Sequence, residues 1–232
     1  MIPWELIDSA KLPGNSGELR LYKRGKEFSI RVDGCELMNS NAHGSEDSLA
    51  ELACKKIAGR LRPRVLIGGL GMGYTLAAAL KRLGPDASVV VAELVNAVVN
   101  WNKGPLAALA GNPLKDKRCY IREEDVAVVI KEKRHLYDAI LLDVDNGPKG
   151  LTSKDNDQLY SLEGLKAAFS ALKLGGVLAV WSVSSDRSFT KRLKQAGFEV
   201  NENSAYARGS SGGGRHTIWT AVCPDVSKTK GR

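Results

Sequence analysis

The 232-residue chain lacks several features that would assign it quickly. It has no run of ~18 apolar residues, so no membrane span is expected. Its N-terminus, MIPWELIDSA, lacks a basic stretch followed by an apolar core, so no secretory signal is expected. Cysteine is scarce, and the four present (Cys35, Cys54, Cys119 and Cys223) include no Cys-x-x-Cys pair. They suit a reduced cytoplasmic protein better than a disulfide or zinc framework. The three histidines, His43, His135 and His216, have no ligand spacing, so no metal is expected. A Walker loop needs Gly-Lys followed by Ser or Thr, and none occurs. Aromatic residues make up only 6% of the chain. The net charge of +8 permits an acidic partner, nucleic acid included. Yet the basic residues are dispersed and no aromatics interleave with them, which fits solvated helix faces rather than a nucleic-acid track.

What the chain does have is a 43% hydrophobic content, enough for a full core. Its organising stretch is Val65–Tyr74, VLIGGLGMGY. Val65, Leu66 and Ile67 read as a buried parallel strand, and TLAAAL after the glycines reads as a helix start. A strand that enters a helix through glycines is a cofactor cradle, because a side chain would hold the backbone off the ligand. The dinucleotide fingerprint needs a glycine where Tyr74 stands. Gly69, Gly71 and Gly73 instead have the spacing of class I S-adenosylmethionine-binding domains.

Acids follow at strand ends. The strand SVVVAEL ends in Glu93, twenty residues past Gly73. Glu93 can accept hydrogen bonds from both ribose hydroxyls of a nucleoside, or serve as a helix N-terminal charge. Asp125, after the short strand CYI, can face an adenine amino group or cap the next helix. Strand YDAILLDVDNGP carries Asp143 and Asp145 at the end that faces the ligand crevice in an open α/β sheet. A carboxylate there can take a proton or steer a cation.

The remaining segments set the architecture. ELRLY and EFSIRV alternate around a turn, and Asp33-Gly34 turns into Cys35–Asn39, giving a small β extension over 1–44. Ser45 can cap a helix with Leu49, Leu52, Ala53 and Ile57 on one face. Further expectations are a helix at Leu159–Leu172, a strand at 177–183, a helix at Phe189–Ala196 and strands at 198–200 and 216–222. The last two strands are expected to be antiparallel neighbours. The expected domains are the extension 1–44, a nucleoside-binding domain 45–223 and a disordered polar tail 224–232.

With these motifs the chain resembles the spermidine synthase (polyamine aminopropyltransferase) family of the class I methyltransferase-like superfamily. The resemblance runs through the N-terminal hairpins, GGLGMGYTL, Glu93, YDAILLD with its following Gly-Pro, and LYSLEGLKAAFSALKLGGVLAV. It implies an α/β, Rossmann-like fold: a seven-stranded, mostly parallel sheet with helices on both faces. It also implies a nucleoside-sulfonium donor over the glycine loop and an acid after the fourth strand that serves an acceptor amine. By that match Asp143 is the candidate base, with Asp145 and Glu51 on the substrate side. The donor would be S-adenosylmethionine or its decarboxylated form, in contact with Gly69, Gly71, Met72, Gly73, Glu93 and Asp125. A homodimer is compatible with it.

The chain departs from the pattern at three points. Met72 stands where the family carries an acid associated with the donor's aminopropyl amine. Asp143 and Asp145 are separated by one residue rather than two. The family's Tyr-His-Glu stands here as Leu49-Ala50-Glu51. Three readings therefore compete: aminopropyl transfer to an amine, methyl transfer from intact S-adenosylmethionine to a small molecule or RNA, and nucleoside binding without catalysis. Methionine at position 72 removes a repulsion, and on this ground intact S-adenosylmethionine is expected to bind at least as well as the decarboxylated donor.

Overall fold

The computed structural model describes residues 2–13, 17–144, 147–148 and 156–225. The expectations for Asp145 and for the tail from 226 onward lie outside these residues.

The chain opens with β1 (Glu5–Lys11), β2 (Glu18–Arg24), β3 (Glu27–Val32) and β4 (Cys35–Asn39). They form an antiparallel sheet in that order. Asp33 and Gly34 both have positive φ, 48° and 85°, as a two-residue type I′ hairpin requires. The sequence reading missed β1. Nearly all of this edge strand is exposed, so it has no apolar alternation to read.

Helix α1 (Gly44–Lys56) follows, with Leu49, Ala53 and Ile57 buried as the periodicity requires. Its N-cap is His43, not Ser45, which is buried inside the first turn. Gly44 is needed there for space: a Cβ would lie 2.1 Å from the Gly209 backbone nitrogen. The start of α1 is thereby pressed against the turn at Gly209.

The main sheet contains β5 (Arg64–Gly68), β6 (Ser88–Ala92), β7 (Cys119–Arg122), β8 (Tyr137–Leu142), β9 (Leu172–Ser182), β10 (Glu199–Tyr206) and β11 (Arg215–Val222). Its spatial order is β10-β11-β9-β8-β5-β6-β7. The pairings among β5 to β9 are parallel, and β11 runs antiparallel to both β9 and β10. The expected antiparallel end of the sheet is present. The helices are α2 (Tyr74–Arg82), α3 (Asn96–Lys103), α4 (Val126–Glu132), α5 (Asn156–Leu159), α6 (Leu162–Ala171) and α7 (Arg187–Gln195). The single helix expected over Leu159–Leu172 is broken at Ser161, whose Oγ accepts from the Gly164 N–H at 3.1 Å and starts α6 afresh.

Two cores result from the pleat. Val65, Ile67, Ala139 and Leu141 face one side, with Leu49 of α1, Leu76 of α2 and Val98 of α3. Leu66, Ile140, Leu142 and Leu178 face the other, with Val129 of α4, Leu165 of α6 and Phe189 of α7. Alternate residues of each strand enter opposite layers, which is why these strands read as unbroken apolar runs.

Asp138, fully buried in β8, fixes the sheet edge opposite the ligand crevice. It accepts from Arg60 Nη1 (2.7 Å), Lys173 Nζ (2.7 Å) and the Arg64 backbone N–H (2.8 Å). Burial alone would raise its pKa, but these donors outweigh burial and hold it below the ordinary carboxylate value.

Candidate active site

The strand order reverses between β5 and β8, which leaves a crevice beyond their C-terminal ends. A cavity of about 640 Å³ occupies it, roofed by β3, β4 and the start of α1.

The glycine loop forms one wall. Gly69 has φ 88°, and a Cβ on it would lie 2.4 Å from the Asp143 carbonyl oxygen. A side chain would therefore force β5 and β8 apart exactly where their ends must meet the ligand. Gly73 (φ 82°) stands at the N-cap of α2. The loop is tied from both sides. Gly69 N–H donates to the Ala92 carbonyl (2.9 Å), and Asn102 Nδ2 donates to the Gly71 carbonyl (2.8 Å).

Glu93 holds this loop and lines the cavity. Its Oε2 accepts from Leu70 N–H at 2.9 Å and its Oε1 from Val95 N–H at 2.8 Å. Burial pushes its pKa up, and the backbone donors pull against that rise. The side chain is thus a structural clamp as well as a candidate ribose acceptor. Asp125 takes the capping role. It caps α4 by accepting from Ala127 N–H (2.8 Å), and it lines the cavity.

Asp143 lies at the other end, just beyond β8. Its backbone N–H continues the sheet to Gly68 (2.9 Å), and its Oδ2 accepts from Thr75 Oγ1 of α2 at 2.6 Å. Burial pushes its carboxyl above the ordinary range, and the Thr75 hydroxyl opposes this. Beside it stands Glu46 of α1, which the sequence reading did not single out. Its pKa is raised by burial and, next, by the charge of Asp143.

One expected position, Glu51, falls elsewhere, and Met72 reaches the cavity from the core. Glu51 is exposed on α1 and pairs with Arg82 at 2.9 Å, away from the cavity lining. One and a half turns separate it from Glu46, so the two cannot share a helix face. Met72 does touch the cavity, but it is 2% exposed and packs in the core beneath the loop.

The charge pattern is lopsided. Among the described residues the lining includes Glu36, Glu46, Glu93, Glu124, Asp125 and Asp143, and no lysine or arginine. Only Glu124 of these six pairs with an arginine, Arg122. No group of His, Cys, Asp and Glu among the described residues has metal-binding geometry.

No protein-family model matches the chain, and no curated protein matches it. Solved structures do. A spermidine synthase from Thermotoga maritima superposes with a TM-score of 0.74 at 17% identity, covering 94% of this chain and 72% of that one. A spermidine synthase in complex with the transition-state analogue AdoDATO gives 0.73 at 17% identity over the same shares. A probable spermidine synthase from Corynebacterium glutamicum gives 0.65 at 16% identity, covering 94% and 79%. The chain thus has the class I methyltransferase-like fold of the spermidine synthases, as its sequence resemblance implied.

Proposed function

We propose that this cavity is the active site of a transferase that binds an adenosyl-sulfonium donor over the glycine loop and alkylates an amine, by aminopropyl transfer from decarboxylated S-adenosylmethionine. The carrying observation is the acid-lined cavity, without lysine or arginine among its described residues, in a chain of net charge +8. Both reactants of such a transfer are cations, a sulfonium and an ammonium. Carboxylates fixed in a crevice of low dielectric favour both. The solved complex of a similar fold with a transition-state analogue supports the same reading.

Each group has a defined task. The glycine loop admits the nucleoside against the backbone, and Glu93 accepts from its ribose hydroxyls. The ionised form of Asp143 takes a proton from the acceptor ammonium, leaving a neutral amine. The amine nitrogen then attacks the carbon beside the sulfonium. The new C–N bond forms as the C–S bond breaks, its electron pair returns to sulfur, and the positive charge passes to the product nitrogen. The anionic wall stabilises that charge throughout.

The same wall bears on the donor. An intact donor carries a carboxylate, and the described lining provides no cation to receive it. At ~4 Å and an effective dielectric near 20, one lining carboxylate would repel it by about 4 kcal/mol before screening. This argument outweighs the loss of a single acid at Met72. Calorimetry with both donors, together with mass spectrometry of products from decarboxylated donor and a panel of amines, tests the reading. A preference of at least tenfold for the decarboxylated donor and an aminopropylated product are expected. Preference for the intact donor with labelled methyl transfer would establish the second reading, which the apolar Met72 favours. Binding without turnover would establish the third.

A further inference from the structure

The acid beside Asp143 is not isolated. Ser45 Oγ donates to Glu46 Oε2 at 2.6 Å, and His216 Nδ1 lies 3.0 Å from the same Ser45 oxygen. With Glu46 ionised, the Ser45 hydrogen goes to the carboxylate and the Ser45 oxygen accepts from the ring, so Nδ1 carries the proton in that state. The chain of donation runs in one direction: His216 Nδ1–H to Ser45 Oγ–H to Glu46 Oε2. It joins β11 to α1 across 171 residues of sequence.

Three features hold this arrangement. Ser45 is 1% exposed, so no solvent competes for its hydroxyl. Trp181 packs edge-to-face on the His216 ring, with centroids 4.7 Å apart, and fixes the imidazole plane. Gly44 N–H donates to the Ala207 carbonyl at 2.8 Å and pins the start of α1 to the end of β10, the strand paired with β11. Glu46, Trp181 and His216 all line the cavity.

We infer that Glu46 is a second proton-accepting carboxylate at the acceptor end and that His216, acting through Ser45, is its positioning residue. The inference rests on the transfer reading of the same cavity and adds a residue pair to it. With one hydroxyl aimed at each acid, Thr75 at Asp143 and Ser45 at Glu46, the two carboxyls are held as separate acceptors that share the cavity's negative charge. An entering ammonium gives a proton to either one and becomes a neutral amine, and the other stays ionised to hold the positive charge of the sulfonium and then of the product nitrogen. The groups facing Glu46 are Asp47 from its own helix, Tyr74 from α2, Asp143 from the end of β8 and, through Ser45, His216 from β11. Without the chain from His216, the Ser45 hydroxyl is free to turn away, and the Glu46 anion loses its donor.

The test uses two readouts on the full chain. The first is carboxyl titration by carbon-13 NMR, with the Glu46 signal assigned by Glu46→Gln. The second is the pH profile of kcat/KM for the amine with decarboxylated donor. Ser45→Ala should move the Glu46 midpoint and the acid limb of the profile to higher pH. It should also raise the amine KM at least tenfold while donor affinity stays within twofold. His216→Ala should act in the same direction. His216→Asn, whose Nδ2 takes the place of imidazole Nδ1, should recover most of the loss. If Ser45→Ala folds and both the Glu46 titration and the amine KM stay at wild-type values, the inference is overturned. If the titration moves as expected but no amine is alkylated by wild type, the chain from His216 to Glu46 stands and the transfer reading fails.

Discussion

Asp143 and Glu93 are both carboxylates in one cavity, yet the groups around them set opposite expectations for mutation. Asp143 has one hydroxyl donor and an acidic neighbour. Its pKa is pushed up to about 6 and that of Glu46 to about 7, in each case chiefly by burial. A raised carboxyl pKa means that the folded chain binds more protons than the unfolded chain between the ordinary value near ~4 and the raised value. The pair's contribution to stability therefore falls as pH rises from ~4 toward ~7. Asp143→Asn should slow transfer while leaving Glu46 as the remaining proton acceptor, keep nucleoside affinity, and flatten the decline of melting temperature across that range. Scanning fluorimetry at several pH values reads this directly. Glu93→Ala, by contrast, leaves the Leu70 and Val95 N–H groups without partners, so stability should drop by roughly 1–3 kcal/mol. It should also weaken nucleoside binding, as denaturant titration and calorimetry together would report. Both acids are legible in the sequence because each ends an apolar strand. Glu46, Asn102 and His216 are not, since they reach the site from elements whose place beside it is set only by the tertiary fold.

The glycine loop is the element on which the cavity depends. Gly69→Ala would impose the left-handed penalty of about 1–2 kcal/mol and also set a methyl against the Asp143 carbonyl. Urea unfolding should show at least that loss, and nucleoside binding should fall with it. At the far end of the same strands, Asp138 joins β8 to the segment before β5 and to β9. Asp138→Ala should cost about 1–3 kcal/mol, less than for a fully buried pair because Arg60 and Lys173 keep 26% and 37% exposure. Its lowered pKa stabilises the fold above the unfolded value of ~3.9, and that contribution is lost as pH falls through the folded value. The melting-temperature deficit of the variant should therefore shrink in acid. Strands buried on both faces were legible as apolar runs, and the hairpins as alternation with turn residues. The exposed β1 and the break before α6 were not. The first lacks an apolar period, and the second depends on one serine hydroxyl that a continuous apolar pattern conceals.

At the scale of the whole molecule, the cavity lining is opposite in sign to the net charge of the chain. The chain has a net charge of +8, whereas its cavity lining contains six acids and no lysine or arginine among the described residues. A cationic ligand approaching from bulk water is therefore repelled before it is attracted. The repulsion acts over distances comparable with the Debye length, ~10 Å in 0.1 M salt and ~3 Å in 1 M, while the attraction operates inside the crevice, where mobile ions screen little. Added salt should thus shorten the reach of the outer barrier and leave the inner well largely intact. Stopped-flow association of an amine or sulfonium ligand should speed up between roughly 0.02 and 0.2 M salt, over which the Debye length shortens about threefold, with dissociation little changed. Most charged ligands are drawn in by the surface and arrive more slowly as salt rises. Here the surface would act as a toll gate that brine opens.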